Sequence, residues 1–126
     1  MRAVRIPQLK LGVLQPKKTS KYRNKKTVCD GITFDSKHEA SRYQELKMLL
    51  NAGEITELRL QVPFELIPTF KLNGETFRSI KYVADFVYKD KNGFEVIEDA
   101  KGMKTDVYKM KKKLMAYVHH IVIQEV

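Results

Sequence analysis

Two acids and a lysine in the second half of the chain have the types and spacing of a metal-assisted site. Asp85 interrupts a mostly apolar segment, Ile80 to Tyr88, and Glu98-Asp99-Ala100-Lys101-Gly102 closes the next one. Carboxylates brought together across paired strands repel each other. A divalent cation between them removes that repulsion, and a lysine beside it suits a phosphate or an attacking water.

The turn between the two segments sets the geometry. Lys91-Asn92-Gly93 fits a three-residue hairpin loop with Gly93 in the left-handed conformation. That loop pairs Asp90 with Phe94, and counting back places Asp85 opposite Asp99. Side chains alternate with period two, so Lys101 shares the face of the acids while Glu98 takes the other. Val83 and Val87 accompany Asp85, and Ile80, Tyr82, Ala84, Phe86 and Tyr88 form the opposite face. Apolar residues on both faces mark a central strand. A slip of one residue would separate the acids, so their pairing depends on the loop.

Glu39 is a third candidate. It falls in one helical stripe with Tyr43, Leu46 and Leu50. An ionised glutamate on a core face needs a partner, which a cation held with Asp85 and Asp99 supplies. Ser36-x-x-Glu39 is also a capping box, so the residues leave both roles open. Gln61, on the extended segment after this helix, is placed to face the same site. A later helix puts Val107, Met110, Leu114, Tyr117 and Val118 on one side and Lys109, Lys112 and Lys113 on the other. Those lysines are close enough to Lys101 in the chain to meet a backbone phosphate beside the site, although a solvated lysine face has the same pattern. Cys29 has no partner pattern for a zinc site or thiol nucleophile, His119-His120 lack metal spacing and suit a structural role better, and His38 falls on the exposed side of the helix beside Glu39. No phosphate-loop motif occurs.

The elements that must hold these residues follow from turn and cap signals. Asp30-Gly31 reads as a tight hairpin within Val28 to Phe34, and Ser36 as the cap of a helix running to about Ala52 and ended by Gly53. Ile55 to Ile67 reads as extended, broken near Pro63. Asn73-Gly74 joins Phe70–Leu72 to Thr76–Arg78. Ile80 to Tyr88 and Phe94 to Lys101 are strands, Thr105 caps a helix to about Val118, and Ile121 to Ile123 is a last strand. The order predicts an α/β (mixed α+β) fold with a central mixed β-sheet flanked by helices.

Composition bounds the partners. The chain has 126 residues and a net charge of +9. Residues 1–26 hold nine Lys/Arg and no acid; removing these from the total of 24 leaves 15 basic residues against 15 acids in 27–126. The division predicts a basic, irregular arm (1–26), including Lys17, Lys18, Lys21, Arg23, Lys25 and Lys26, followed by one domain (27–126). A basic arm without compensating acid suits a polyanion, nucleic acid above all. A single cysteine excludes an internal disulfide and suits a reducing compartment. No apolar run approaches a membrane span and no secretory signal is evident, so an intracellular protein without a membrane partner is expected.

Tyr82-Val83-Ala84-Asp85-Phe86 followed by Glu98-Asp99-Ala100-Lys101 resembles the PD-(D/E)xK nuclease superfamily. Phe34 to Tyr43, carrying Glu39, resembles the helix that supplies the superfamily's additional glutamate. The combination is most similar to small nucleases of phages and prophages of Gram-positive bacteria. It is more distantly similar to Holliday junction resolvases of the phage endonuclease I type. Ala84 stands where the motif name has proline, which removes no ligand. The resemblance covers residues 27–126. It implies a restriction-endonuclease-like core and a Mg²⁺- or Mn²⁺-dependent DNA endonuclease acting on branched or structured DNA in the cytoplasm of a bacterial host. By the same resemblance Glu39, Asp85, Asp99 and the Ala100 carbonyl would bind the metal, and Lys101 would orient the attacking water. Symmetric cutting of a junction takes two sites, so a homodimer is expected. A non-catalytic nucleic-acid-binding protein, or an accessory factor of a phage replication or packaging complex, is the competing reading.

Overall fold

The structure is a computed structural model and describes residues 26–126. The arm cations Lys17, Lys18, Lys21, Arg23 and Lys25 lie outside the described residues. Lys26 is described, and its Nζ sits 3.2 Å from Asp35 Oδ1.

Turn and cap chemistry starts the fold where the sequence places it. Asp30 and Gly31 both take left-handed backbone (φ 53° and 75°), as a two-residue hairpin turn requires. They join β1 (Thr27–Cys29) to β2 (Ile32–Phe34). The Ser36 hydroxyl accepts from the Glu39 N–H at 3.2 Å and opens α1 (Lys37–Asn51). α1 buries Glu39, Ala40, Tyr43 and Leu46, with Leu50 partly covered.

β3 (Thr56–Ile67) runs through Pro63 without a break, which corrects the interrupted segment expected there. β3 is an edge strand, where a missing N–H on the open side disturbs no ladder. β4 (Phe70–Leu72) and β5 (Glu75–Phe77) form the Asn73-Gly74 hairpin. β6 (Ile80–Lys89) and β7 (Glu95–Asp99) follow. α2 (Asp106–Leu114), capped by Thr105, passes into a π-helical turn (Met115–His119), and β8 (Gln124–Glu125) closes the chain. The last strand thus begins after Ile123 rather than at Ile121.

The sheet order is β3-β6-β7-β8: antiparallel between the first three, parallel between β7 and β8. The fold is therefore a mixed α/β arrangement with a mixed central sheet, and β6 is interior as its two apolar faces require. One core joins α1 to Phe34, Leu58, Leu60, Phe86 and Tyr88. The other joins Tyr108 and Met115 to Leu66, Tyr82, Ala84, Val87, Ile97 and Ile123. α2 does not bury its expected face. Tyr108 and Met115 are buried, whereas Val107, Met110, Tyr117 and Val118 are exposed. The Tyr108 hydroxyl donates to Glu125 of β8 at 2.8 Å, which fixes the helix about one residue, roughly 100°, from the apolar stripe.

Candidate functional site

The loop delivers the register it encodes. The Asp90 N–H donates to the Phe94 carbonyl and the Gly93 N–H to the Asp90 carbonyl, each at 2.9 Å, with Gly93 at φ 87°. The ladder then runs Lys89 to Glu95, Val87 to Ile97 and Phe86 to Glu98. Continued one step, that register sets Asp85 against Asp99, and the Asp85 carboxyl accepts from the N–H of the next residue, Ala100. β7 ends at Asp99, so Lys101 reaches back from the following loop, its Nζ 3.8 Å from Asp99 Oδ1.

Alternation does not survive through the site. Tyr82, Ala84, Phe86 and Tyr88 share one parity, yet Phe86 and Tyr88 pack with α1 while Tyr82 and Ala84 pack with Tyr108 and Met115. On β3 the same division falls between Leu60 and Val62. The register is unchanged across it, Leu60 facing Phe86 and Val62 facing Ala84, so no residue is inserted. Both strands turn over at Gln61 and Asp85, and Gln61 there has left-handed backbone, φ 52°. The reversal brings Tyr82, expected on the far face, to the site: its hydroxyl donates to Asp99 Oδ2 at 2.6 Å. Tyr82 and Tyr108, whose ring lies 5.1 Å from Lys101 Nζ, are the neighbours that strand and helix periodicity did not reveal.

Gln61 links the helix to the sheet. Its Nε2 donates to Glu39 Oε2 and to Asp85 Oδ1, both at 3.2 Å. Asp85 Oδ2 accepts from the Ala100 N–H at 3.0 Å. Both roles open to Glu39 are in part met: Ser36 caps the Glu39 N–H, and the Glu39 carboxyl meets the Asp35 backbone just before the helix as well as Gln61 on the sheet. Burial, then the Asp85 charge, pushes the Glu39 carboxyl up to about 8. Burial, then the Asp99 charge, pushes Asp85 up to about 6. These are the effects of acids crowded together away from water.

Asp99 is 2% exposed, and its Oδ1 has no hydrogen-bond partner among the described residues. Glu98 is as buried but fully engaged. Arg42 donates to it twice, Nε to Oε1 at 2.9 Å and Nη2 to Oε2 at 2.7 Å, and the Tyr88 hydroxyl donates to Oε2 as well. Of the lysines on α2, Lys112 Nζ pairs with Glu125 at 2.9 Å, while Lys109 and Lys113 are exposed. His119 Nε2 bonds the Glu65 carbonyl at 2.7 Å, a structural contact.

Glu39, Asp85, Asp99 and Lys101 are therefore neighbours in pairs. Among the described residues no group of three or more acids, histidines or cysteines is gathered tightly enough to hold a metal as it stands. The donor set still suits a hard cation. One buried carboxylate oxygen lacks a hydrogen bond among the described residues, and two further carboxyl groups share a single neutral donor. No helix among the described residues is long and apolar enough to cross a membrane.

Fold and site together define a mixed α/β protein with an acidic, lysine-edged site where two paired strands of the sheet, β3 and β6, turn over. The chain belongs to the DUF1064 family, described as a protein of unknown function, whose model matches residues 19–124. No curated protein and no solved structure matches it.

Proposed function

We propose that the chain is a metal-dependent endonuclease that hydrolyses phosphodiester bonds in branched or otherwise structured DNA. The observation that carries this reading is Asp99 Oδ1: a buried carboxylate oxygen without a hydrogen bond, beside Asp85 and 3.8 Å from Lys101 Nζ. An unsatisfied buried acceptor costs roughly 1–3 kcal/mol, which a purely structural acid has no reason to carry. Asp85, Asp99 and Glu39, with the Ala100 carbonyl, would hold Mg²⁺ or Mn²⁺. Bound there, such a cation acidifies a water and screens the phosphate oxygens. Lys101 supplies a positive charge at the mouth of the acids, where a scissile phosphate and attacking water would lie. Lys109 and Lys113 offer exposed charge to the flanking backbone, and the arm cations add to it. The preference for branched DNA and a two-site homodimer come from the resemblance to junction-resolving nucleases.

Incubation of the protein with Mg²⁺ or Mn²⁺ and linear, flapped and four-way DNAs tests the reading, with Asp99→Ala as control. Metal-dependent cleavage that the variant lacks is the expected result. Failure of the wild type to cut any substrate overturns the function, and equal cutting by the variant overturns the site.

A further inference from the structure

Gln61 carries the strained backbone closest to the acids. Among the described residues, five non-glycine residues have positive φ: Asp30, Glu57, Gln61, Asn73 and His120. Asp30 and Asn73 sit in tight turns, Glu57 lies at a register shift between Thr56 and Arg59, and His120 caps the π-helical turn. Gln61 belongs to none of these. It lies inside β3, where the register is unbroken, and a glutamine there gains nothing locally from a conformation that favours glycine. Strain of this kind persists where surroundings over-determine it, and the surroundings here are Glu39 and Asp85.

The amide of Gln61 has the position of a cation. One Nε2 donates to a carboxyl oxygen of Glu39 on α1 and to one of Asp85 on β6, at 3.2 Å each, longer than the usual optimum for such bonds. Gln61 itself is exposed, so its side chain can leave without opening the core. We propose that Gln61 is a removable stand-in for the metal: its amide holds Glu39 beside Asp85 in the metal-free protein and yields that position to a divalent cation. This rests on the metal-dependent reading above, and makes Gln61 a positioning residue that acts through the two acids.

The stand-in role predicts opposite responses to two substitutions. Gln61→Ala removes the shared donor, so the full chain in chelator melts lower. Mn²⁺, measured alone by titration calorimetry, binds about tenfold tighter, because two weak hydrogen bonds no longer have to be broken. Gln61→Lys puts a tethered ammonium between the acids. It melts higher than wild type in chelator and loses the rise in melting temperature that Mn²⁺ produces. A side chain that merely fills space gives both variants the same sign. Mn²⁺ binding to Gln61→Ala that is unchanged or weaker overturns the proposal, as does an undiminished Mn²⁺ response in Gln61→Lys. A wild type that binds Mn²⁺ while the variants fail in this way removes the Gln61 role alone. A wild type that binds neither Mn²⁺ nor Mg²⁺ removes the metal-dependent reading and this proposal with it.

Discussion

Glu98 and Asp99 are consecutive on β7, 1% and 2% exposed, and look to opposite faces of the sheet. Glu98 faces α1, where Arg42 grips both its oxygens and Tyr88 donates a third hydrogen bond. Asp99 faces the reversal of β3 and β6. It has Tyr82 on Oδ2, and on Oδ1 no hydrogen bond among the described residues, only Lys101 Nζ at 3.8 Å. The same chemical group, at the same depth, is closed on one side and open on the other. A buried acid with every lone pair engaged holds a helix to a sheet. One left short of a hydrogen bond beside other acids is the group that the proposed metal would engage.

Removing each acid should separate the two roles. Asp99→Ala is expected to lower cleavage of the best DNA substrate by more than about 100-fold, beyond what supporting residues of metal sites contribute. Its stability should fall far less than that of Glu98→Ala, because the loss of an unsatisfied acceptor and of a like-charge neighbour offsets the hydrogen bond that the Tyr82 hydroxyl loses. Parallel cleavage assays and urea titrations check this, and a strongly destabilised Asp99→Ala would make Asp99 as structural as Glu98.

Glu98→Ala should do the reverse. It leaves the Tyr88 hydroxyl without its partner and Arg42, whose side chain is 23% exposed, with Glu45 alone, and a broken buried pair costs about 3–5 kcal/mol. The part that remains folded should still take up Mn²⁺. Loss of metal binding from a folded Glu98→Ala would mean the two faces are not independent.

The open face should also titrate. Glu39 and Asp85 have raised folded values, about 8 and about 6, against 4.5 and 3.8 ordinarily. The folded chain therefore holds protons that the unfolded chain has released. The stability this gives is complete below about pH 4 and is lost as pH rises through about 6 and then about 8. In chelator, the melting temperature should fall between these values, and Glu39→Gln should flatten the upper part of the fall. Saturating Mn²⁺ should flatten it too, because a cation favours the ionised acids. A level profile for the metal-free wild type would remove the crowded-acid account.

The sequence carried the register but not the turnover. Lys91-Asn92-Gly93 sufficed to set Asp85 against Asp99 and to send Glu98 to the far side, because loop length and a left-handed glycine determine pairing locally. Glu39 was legible from its place in a helical stripe. Tyr82 was not. Its face follows from the turnover of β6 at Asp85, beside the left-handed backbone of Gln61 on β3, and nothing in the residue type signals it. The buried face of α2 escaped for a similar reason. Tyr108 is drawn inward by a hydrogen bond to Glu125, a partner distant in sequence, so Val107 and Met110 are left outside.

The smallest expected effect falls on the loop that both acids share. Gly93 has φ 87°, and a Cβ added there would meet nothing within 4 Å. Gly93→Ala therefore costs only backbone strain, about 1 kcal/mol. Two further constraints hold the register against a slip of the weakened turn: Arg42 on Glu98, and the Ala100 N–H on Asp85. Cleavage by the folded variant should then match the wild type while its urea midpoint drops. If cleavage disappears from a variant that stays folded, the turn alone has been holding the strands in step. A slip by one residue would exchange the surroundings of Glu98 and Asp99, closing the open acid and opening the closed one.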